Sequence, residues 1–106
     1  MKKALVKIHN IAVGVFVEEN PQHYIFQYND HYTGQPISLT MPVTKKEYEY
    51  ASFPPFFDGL LPEGIQLEAI LKRHKIDKYD YFEQLLITGS DLVGAVTVEN
   101  MGNDHE

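Results

Sequence analysis

The run Gly89-Ser90-Asp91-Leu92-Val93-Gly94 has the glycine spacing of a phosphate-binding loop, whose backbone amides would cradle a nucleotide. Ala95-Val96 follows where such a loop needs its lysine and hydroxyl, and the segment does not lead from a strand into a helix. It reads instead as a helix-to-strand turn with a glycine at each end. Five histidines, at 9, 23, 31, 74 and 105, lack the close pairing that a metal site uses. Glu18-Glu19 are adjacent carboxylates, but Asn20-Pro21 follows them, which is the composition of a solvated turn. Ser38, Ser52 and Ser90 have no glycine-flanked elbow to expose a nucleophile. No glycine-rich lid is followed by a strand lysine, and no catalytic Asp comes with its Asn, so a kinase signature is missing as well. The chain has no cysteine, which removes disulfides and thiol chemistry. The residues therefore predict no catalytic, cofactor or metal site.

Charge narrows the remaining options. Fifteen acidic residues face nine basic ones, for a formal charge of −6, and Arg73 is the only arginine. The one basic cluster, Lys72-Arg73-His74-Lys75 with Lys78 behind it, is too small for the cationic stripe that displaces counterions from nucleic acid. Direct nucleic-acid binding is not expected. The apolar stretch 4–8 is broken by Lys7, so neither a signal peptide nor a membrane span is predicted, and a cytoplasmic protein is expected. What remains is a protein-binding role. Aromatic residues crowd positions 48–57 beside Pro54-Pro55, and Tyr48 and Tyr50 among charges are expected to be partly exposed.

These surfaces need elements to hold them. Residues 4–9 and 12–18 read as a hairpin turning at Asn10, with Val13, Val15 and Val17 on one face. Residues 23–28 form a third strand with Tyr24, Phe26 and Tyr28 on one side. A polar turn over 29–35 follows. Ile37, Leu39 and Met41 alternate with Ser38 and Thr40 and predict a strand bracketed by Pro36 and Pro42. Residues 45–50 read as a charged loop.

After Pro62 the pattern becomes helical. Leu67, Ile70, Leu71 and His74 recur at i, i+3, i+4 and i+7, Pro62 suits the first helical position, and Glu63 suits the positive helix end. At about 100° per residue, Ile65 lies about 160° from Leu67 and so points away from that stripe, with Ala69 on the same outward side. A second helix is predicted over 80–87, with Asp80 and Glu83 at capping-box spacing and Gly89 ending it. A last strand is predicted over 93–98. The fold class is α+β: one domain of a hairpin-rich antiparallel sheet, two helices and a returning strand over residues 1–98, then a polar tail over 99–106.

Three segments in order carry a resemblance: Ile37-Ser38-Leu39-Thr40-Met41-Pro42-Val43, Phe56-Phe57-Asp58-Gly59-Leu60-Leu61-Pro62-Glu63-Gly64, and Ile87-Thr88-Gly89-Ser90-Asp91-Leu92-Val93-Gly94-Ala95-Val96-Thr97-Val98. They are similar to the N-terminal subdomain of HipA-family serine/threonine kinases, and with the opening hairpin the resemblance covers about residues 3–98. Those kinases carry a long catalytic region after this segment, whereas this sequence ends at Glu106. The resemblance thus implies a HipS-like antitoxin of a HipBST-type toxin–antitoxin system. In that arrangement the small protein binds a HipT-like kinase toxin, with a HipB-like DNA-binding protein in a larger complex. The alternatives behind it are the structural N-terminal subdomain of a full-length HipA-type toxin kinase, or an adaptor between kinase and repressor. The Met1 start and polar ending favour the expectation of a complete small protein. For a kinase-binding protein the expected contact is the corner over 57–66, with Phe57, Leu61, Glu63, Ile65 and Gln66. The residue after the LPEG turn is often a bulky aromatic in such domains; here it is Ile65.

Overall fold

The computed structural model describes residues 1–92 and 94–103. Val93, expected to open the last strand, and residues 104–106 of the expected tail lie outside the described residues. Among the described residues one antiparallel sheet forms from β1 (Lys2–Ile8), β2 (Ile11–Asn20), β3 (His23–Tyr28), β4 (Glu47–Tyr50) and β5 (Val96–Asn103), in the order β4-β3-β2-β1-β5. Helices α1 (Pro55–Asp58), α2 (Gly64–His74) and α3 (Tyr81–Thr88) complete the α+β fold, with a single 3-10 turn over Gly89–Asp91.

The β1–β2 hairpin turns through His9 and Asn10, both left-handed with φ 48° and 68°, which is the two-residue turn whose twist matches paired strands. Two turns of register later the pairing slips: Lys7 faces Ala12 and Val6 faces Gly14, leaving Val13 as an extra residue. This bulge corrects the expectation that Val13, Val15 and Val17 share a face. Val13, Gly14 and Phe16 go to the core, while Val15 and Val17 lie only half-buried on the other side. Gly14 is needed there, because a Cβ would stand 2.5 Å from the Gln27 carbonyl oxygen and 2.8 Å from the Phe26 ring.

The inner face of the sheet carries Ala4, Val6, Phe16, Tyr24, Phe26, Tyr28 and Val98, all buried. Phe16 is its centre. Its ring stacks on Phe57 of α1 at 4.0 Å and on Phe82 of α3 at 5.1 Å, so one residue ties the sheet to two helices. Such ring pairs add about 0.5–1.5 kcal/mol each beyond the area they bury. Gln84 is the buried polar residue of α3, and its amide donates to the Lys78 carbonyl at 2.9 Å. Among the described residues no buried side-chain nitrogen or oxygen lacks a hydrogen-bond partner.

Three element expectations are corrected. Residues 37–41 are not a strand but a pinned loop, because the Tyr28 hydroxyl holds both its ends: it accepts from the Ile37 amide at 3.0 Å and donates to the Met41 carbonyl. Residues 47–50 are not loop but β4; Tyr48 and Tyr50 alternate with Glu47 and Glu49 and pair with Phe26 and Tyr24. Both tyrosines are half-buried, as their setting among charges suggested. The last strand runs to Asn103, well into the segment read as tail, since residues 99 and 100 still pair with Leu5 and Ala4. α3 begins where expected, with the Asp80 carboxylate accepting from the Glu83 amide.

Among the described residues β5 is an edge strand of the sheet. The 3-10 turn lies against it, and a Cβ on Gly89 would stand 2.1 Å from the Val98 carbonyl oxygen. Gly89 is therefore small in order to let two backbones meet, in addition to ending α3. A loop seated on an edge strand also blocks unwanted strand pairing.

Candidate functional site

The corner expected to meet a partner is built on two prolines. Pro54 is buried and extended, and Pro55 opens α1 with its φ already helical. Backbone bonds then follow one another: Asp58 N–H to Pro54 O, Gly59 N–H to Pro55 O, Leu60 N–H to Phe57 O and Leu61 N–H to Asp58 O, at 2.9–3.2 Å. Every residue from 58 to 61 is thus held by a local bond. Phe57 is the anchor. It is 0% exposed and stacked on Phe16, so in the isolated domain it supports the corner from beneath.

α2 starts later than expected. Pro62 and Glu63 stay outside it, Glu63 is its extended N-cap without a side-chain capping bond, and Gly64 takes φ +60°. That left-handed step turns the chain away from the body. A Cβ at Gly64 would meet nothing within 4 Å, so conformation and not crowding calls for glycine. No residue of α2 is buried: Leu67, Ile70 and Leu71 are half-buried, and His74 is exposed, where an extension of the stripe was expected. Ile65 is 84% exposed, confirming its outward orientation. At the far end Lys72, Arg73 and His74 sit on the negative helix terminus.

Between α2 and the body lies a groove of about 610 Å³. Leu60, Leu61 and Pro62 form one wall, Gln66 and Ile70 another, and Leu92 lies on the third side. Of the expected contact residues, Leu61 and Gln66 thus line a groove, Glu63 and Ile65 stand exposed at the start of α2, and Phe57 lies beneath. Ala69 is exposed, as expected, but it also lines the groove. The arrangement offers an apolar knob at Ile65, a hydrogen-bonded turn over 58–61, and a groove of mixed character to which Thr88 and Asp91 also contribute. Among the described residues no group of His, Cys, Asp or Glu could hold a metal ion. No helix of the described residues is long and apolar enough to cross a membrane.

Two charged clusters lie elsewhere and were not foreseen. His23 Nδ1 meets Glu19 Oε1 at 2.9 Å, and its Nε2 meets Glu49 Oε2 at 2.8 Å. The bond to Glu49, with the charge of Glu19 added, outweighs desolvation and raises the imidazole pKa. Lys2 faces Glu83 at 3.2 Å, Asp80 at 3.6 Å and Glu18 at 3.9 Å. Partial burial opposes its charge, yet the three carboxylates prevail and its pKa is raised. Tyr24 beside them is pushed up to about 12, first by burial and then by its bond to Glu18. Glu19 is a local i, i+4 partner of His23, whereas Glu49 reaches it through the β3–β4 pairing, and Lys2 is met by Glu18 across the β1–β2 pairing and by Asp80 and Glu83 at the start of α3.

Residues 4–99 match the family described as the HipA N-terminal domain. An uncharacterised protein of Haemophilus influenzae is 31% identical over 99 residues, a match covering 93% of this chain and 92% of that one. Among solved structures, one described as the N-terminal domain of HipA toxin superposes with a TM-score of 0.76 at 25% identity. That match covers 98% of this chain and 96% of the other.

Proposed function

The chain belongs to the HipA N-terminal domain family, and we propose that it binds the kinase region of a HipA-type serine/threonine kinase toxin and restrains it, as an antitoxin without catalysis of its own. The observation that carries this reading is α2. A helix with no fully buried residue, led by an 84% exposed isoleucine, has an apolar surface that its own fold does not use. The H. influenzae relative adds support, since the matching domain makes up 92% of that protein.

The corner suits a probe entering a cleft. Pro54-Pro55 and the bonds over 58–61 fix its direction before binding, so little ordering entropy is lost on association. Ile65 supplies apolar burial of about 1.5–3 kcal/mol when fully covered. Glu63 beside it faces a basic pocket such as one that holds nucleotide phosphates, and Leu61 and Gln66 extend the contact into the groove. A partner of this kind works in the cytoplasm and brings a DNA-binding repressor through the kinase, with no cofactor involved.

A second reading has its own support: the matching structure is a domain of a toxin, where the same surface would pack against the rest of that chain. The kinase region expressed apart separates the two. Co-expression of this protein relieves the growth arrest that the kinase causes under the antitoxin reading, and leaves it unchanged if the domain is only a structural piece. Ile65→Asp keeps the wild-type melting curve and weakens binding by about 10–100-fold, as the loss of that burial requires. A folded Ile65→Asp protein that neutralises as well as wild type places the contact elsewhere.

A further inference from the structure

The three central strands of the sheet are apolar on both faces. Ala4-Leu5-Val6 in β1, residues 13–17 in β2 and Tyr24-Ile25-Phe26 in β3 run without a charged residue. An antiparallel sheet with one solvated face alternates apolar and polar residues, whereas a near-continuous apolar run belongs to a strand covered on both sides. One side is covered from within, where Phe57 of α1 and Phe82 of α3 stack on Phe16. Leu5, Val15, Val17 and Ile25 alternate with the core residues and lie half-buried on the other face. The half-buried side chains that pack against the core come from elsewhere, Tyr48, Phe53 and Leu60 among them. Leu5 pairs with Val15 and Val17 with Ile25, so the four form one continuous patch on the second face.

The charges around this patch have a fixed order. Strand pairing sets Glu49, Ile25, Val17 and Lys3 in one row across β4, β3, β2 and β1. The row reads acid, apolar, apolar, base. Turned end for end over a second copy, it places Glu49 against Lys3 and Ile25 against Val17, and does so twice. The neighbouring row runs Glu47, Gln27, Val15, Leu5, with Lys7 one step further along that face of β1. Acidic side chains therefore line the β4 flank of the patch and basic ones the β1 flank. Like flanks laid on each other would set like charges together, which is unfavourable.

We propose that a second copy of this chain covers the face, in a pair whose twofold axis lies along the strands between β2 and β3. Sheets stack in this manner about 10 Å apart with strands within about 30° of each other. The same residues serve both copies, as a twofold contact requires. Five strands about 4.8 Å apart, each crossing the face for about six residues, offer about 500 Å² per copy. The total of about 1,000 Å² is at the lower limit of specific interfaces, so the pair is weak, with a Kd of about 10–100 μM. This contact is independent of kinase binding.

Sedimentation equilibrium of the wild-type protein alone is expected to give the mass of one chain at about 1 μM and to approach that of two at about 500 μM. Val17→Thr and Ile25→Thr keep a β-branched residue in the strand and leave the dilute protein folded by circular dichroism, while each weakens the pair about tenfold. Glu49→Lys and Lys3→Glu each weaken it too, and Lys3→Glu/Glu49→Lys together recover it, because exchanging both charges restores the pairing between copies. Carbodiimide coupling needs no substitution: in a mixture of isotope-labelled and unlabelled wild-type chains it joins Lys3 of one copy to Glu49 of the other. A single-chain mass at about 500 μM, an unchanged Kd in both threonine variants, or no Lys3–Glu49 product between copies overturns the proposal. So does a monomer whose peptides over 13–19 and 23–27 gain hydrogen-exchange protection only when the kinase region is added, which gives the face to that partner instead.

Discussion

His23 bridges Glu19 and Glu49 and so fastens the turn after β2 to the edge strand β4. Its pKa is raised above the ordinary 6.5. A group of this sign contributes fully below its unfolded pKa and loses that contribution as pH rises through the folded value. The melting temperature of wild type is therefore expected to exceed that of His23→Gln near pH 6.5, with the difference fading by pH 8.5. Glu49→Gln removes the largest cause of the shift, and its His23 pKa, followed by NMR titration, moves back down. A difference in melting temperature that stays constant between the two pH values contradicts the bridge. The Glu19–His23 half of this site has a local i, i+4 spacing, but the Glu49 half was not legible, because it forms only when β3 and β4 pair. Ile65 was legible, because helical angle alone sets it opposite Leu67.

Elements were legible where one local rule decided them and were missed where a tertiary bond did. The β1–β2 hairpin, the Asp80 cap of α3 and the strand with Tyr24, Phe26 and Tyr28 all follow from alternation or capping. The segment 37–41 has equally good alternation, yet the Tyr28 hydroxyl takes the place of a strand partner and bends it into a loop. The alternation of Glu47-Tyr48-Glu49-Tyr50 was a strand signal hidden by its charges. In α2 the periodicity gave the helix but overstated its burial, since the stripe of Leu67, Ile70 and Leu71 is only half-buried.

Two substitutions test these elements. Lys75 ends α2 in the left-handed conformation at φ 55°, with its amide bonded to the Leu71 carbonyl. Lys75→Gly is expected to stabilise by about 0.5–1 kcal/mol in urea unfolding, because glycine relieves the Cβ strain that lysine bears there. Gly89→Ala is expected to destabilise by about 2–3 kcal/mol, because a Cβ placed 2.1 Å from the Val98 carbonyl oxygen forces the 3-10 turn off β5. If Gly89→Ala unfolds at the wild-type urea concentration, the close approach of these backbones is wrong.

At the scale of the molecule, the domain completes its own core and still leaves large apolar side chains exposed. Phe16, Phe57 and Phe82 close the interior, whereas Ile65, Leu39 and the groove under α2 stay open. The net charge of −6 favours a partner with a basic face. The kinase-binding proposal stands on this exposed surface together with membership of the HipA N-terminal domain family. The most direct measurement is a titration of purified protein into the isolated HipA-type kinase region, with gel filtration of the mixture. The account predicts a dissociation constant of about 1 μM or tighter, equivalent to about −8 kcal/mol, and co-elution of the two chains. Separate elution, with no heat of binding at concentrations about tenfold above that value, contradicts it.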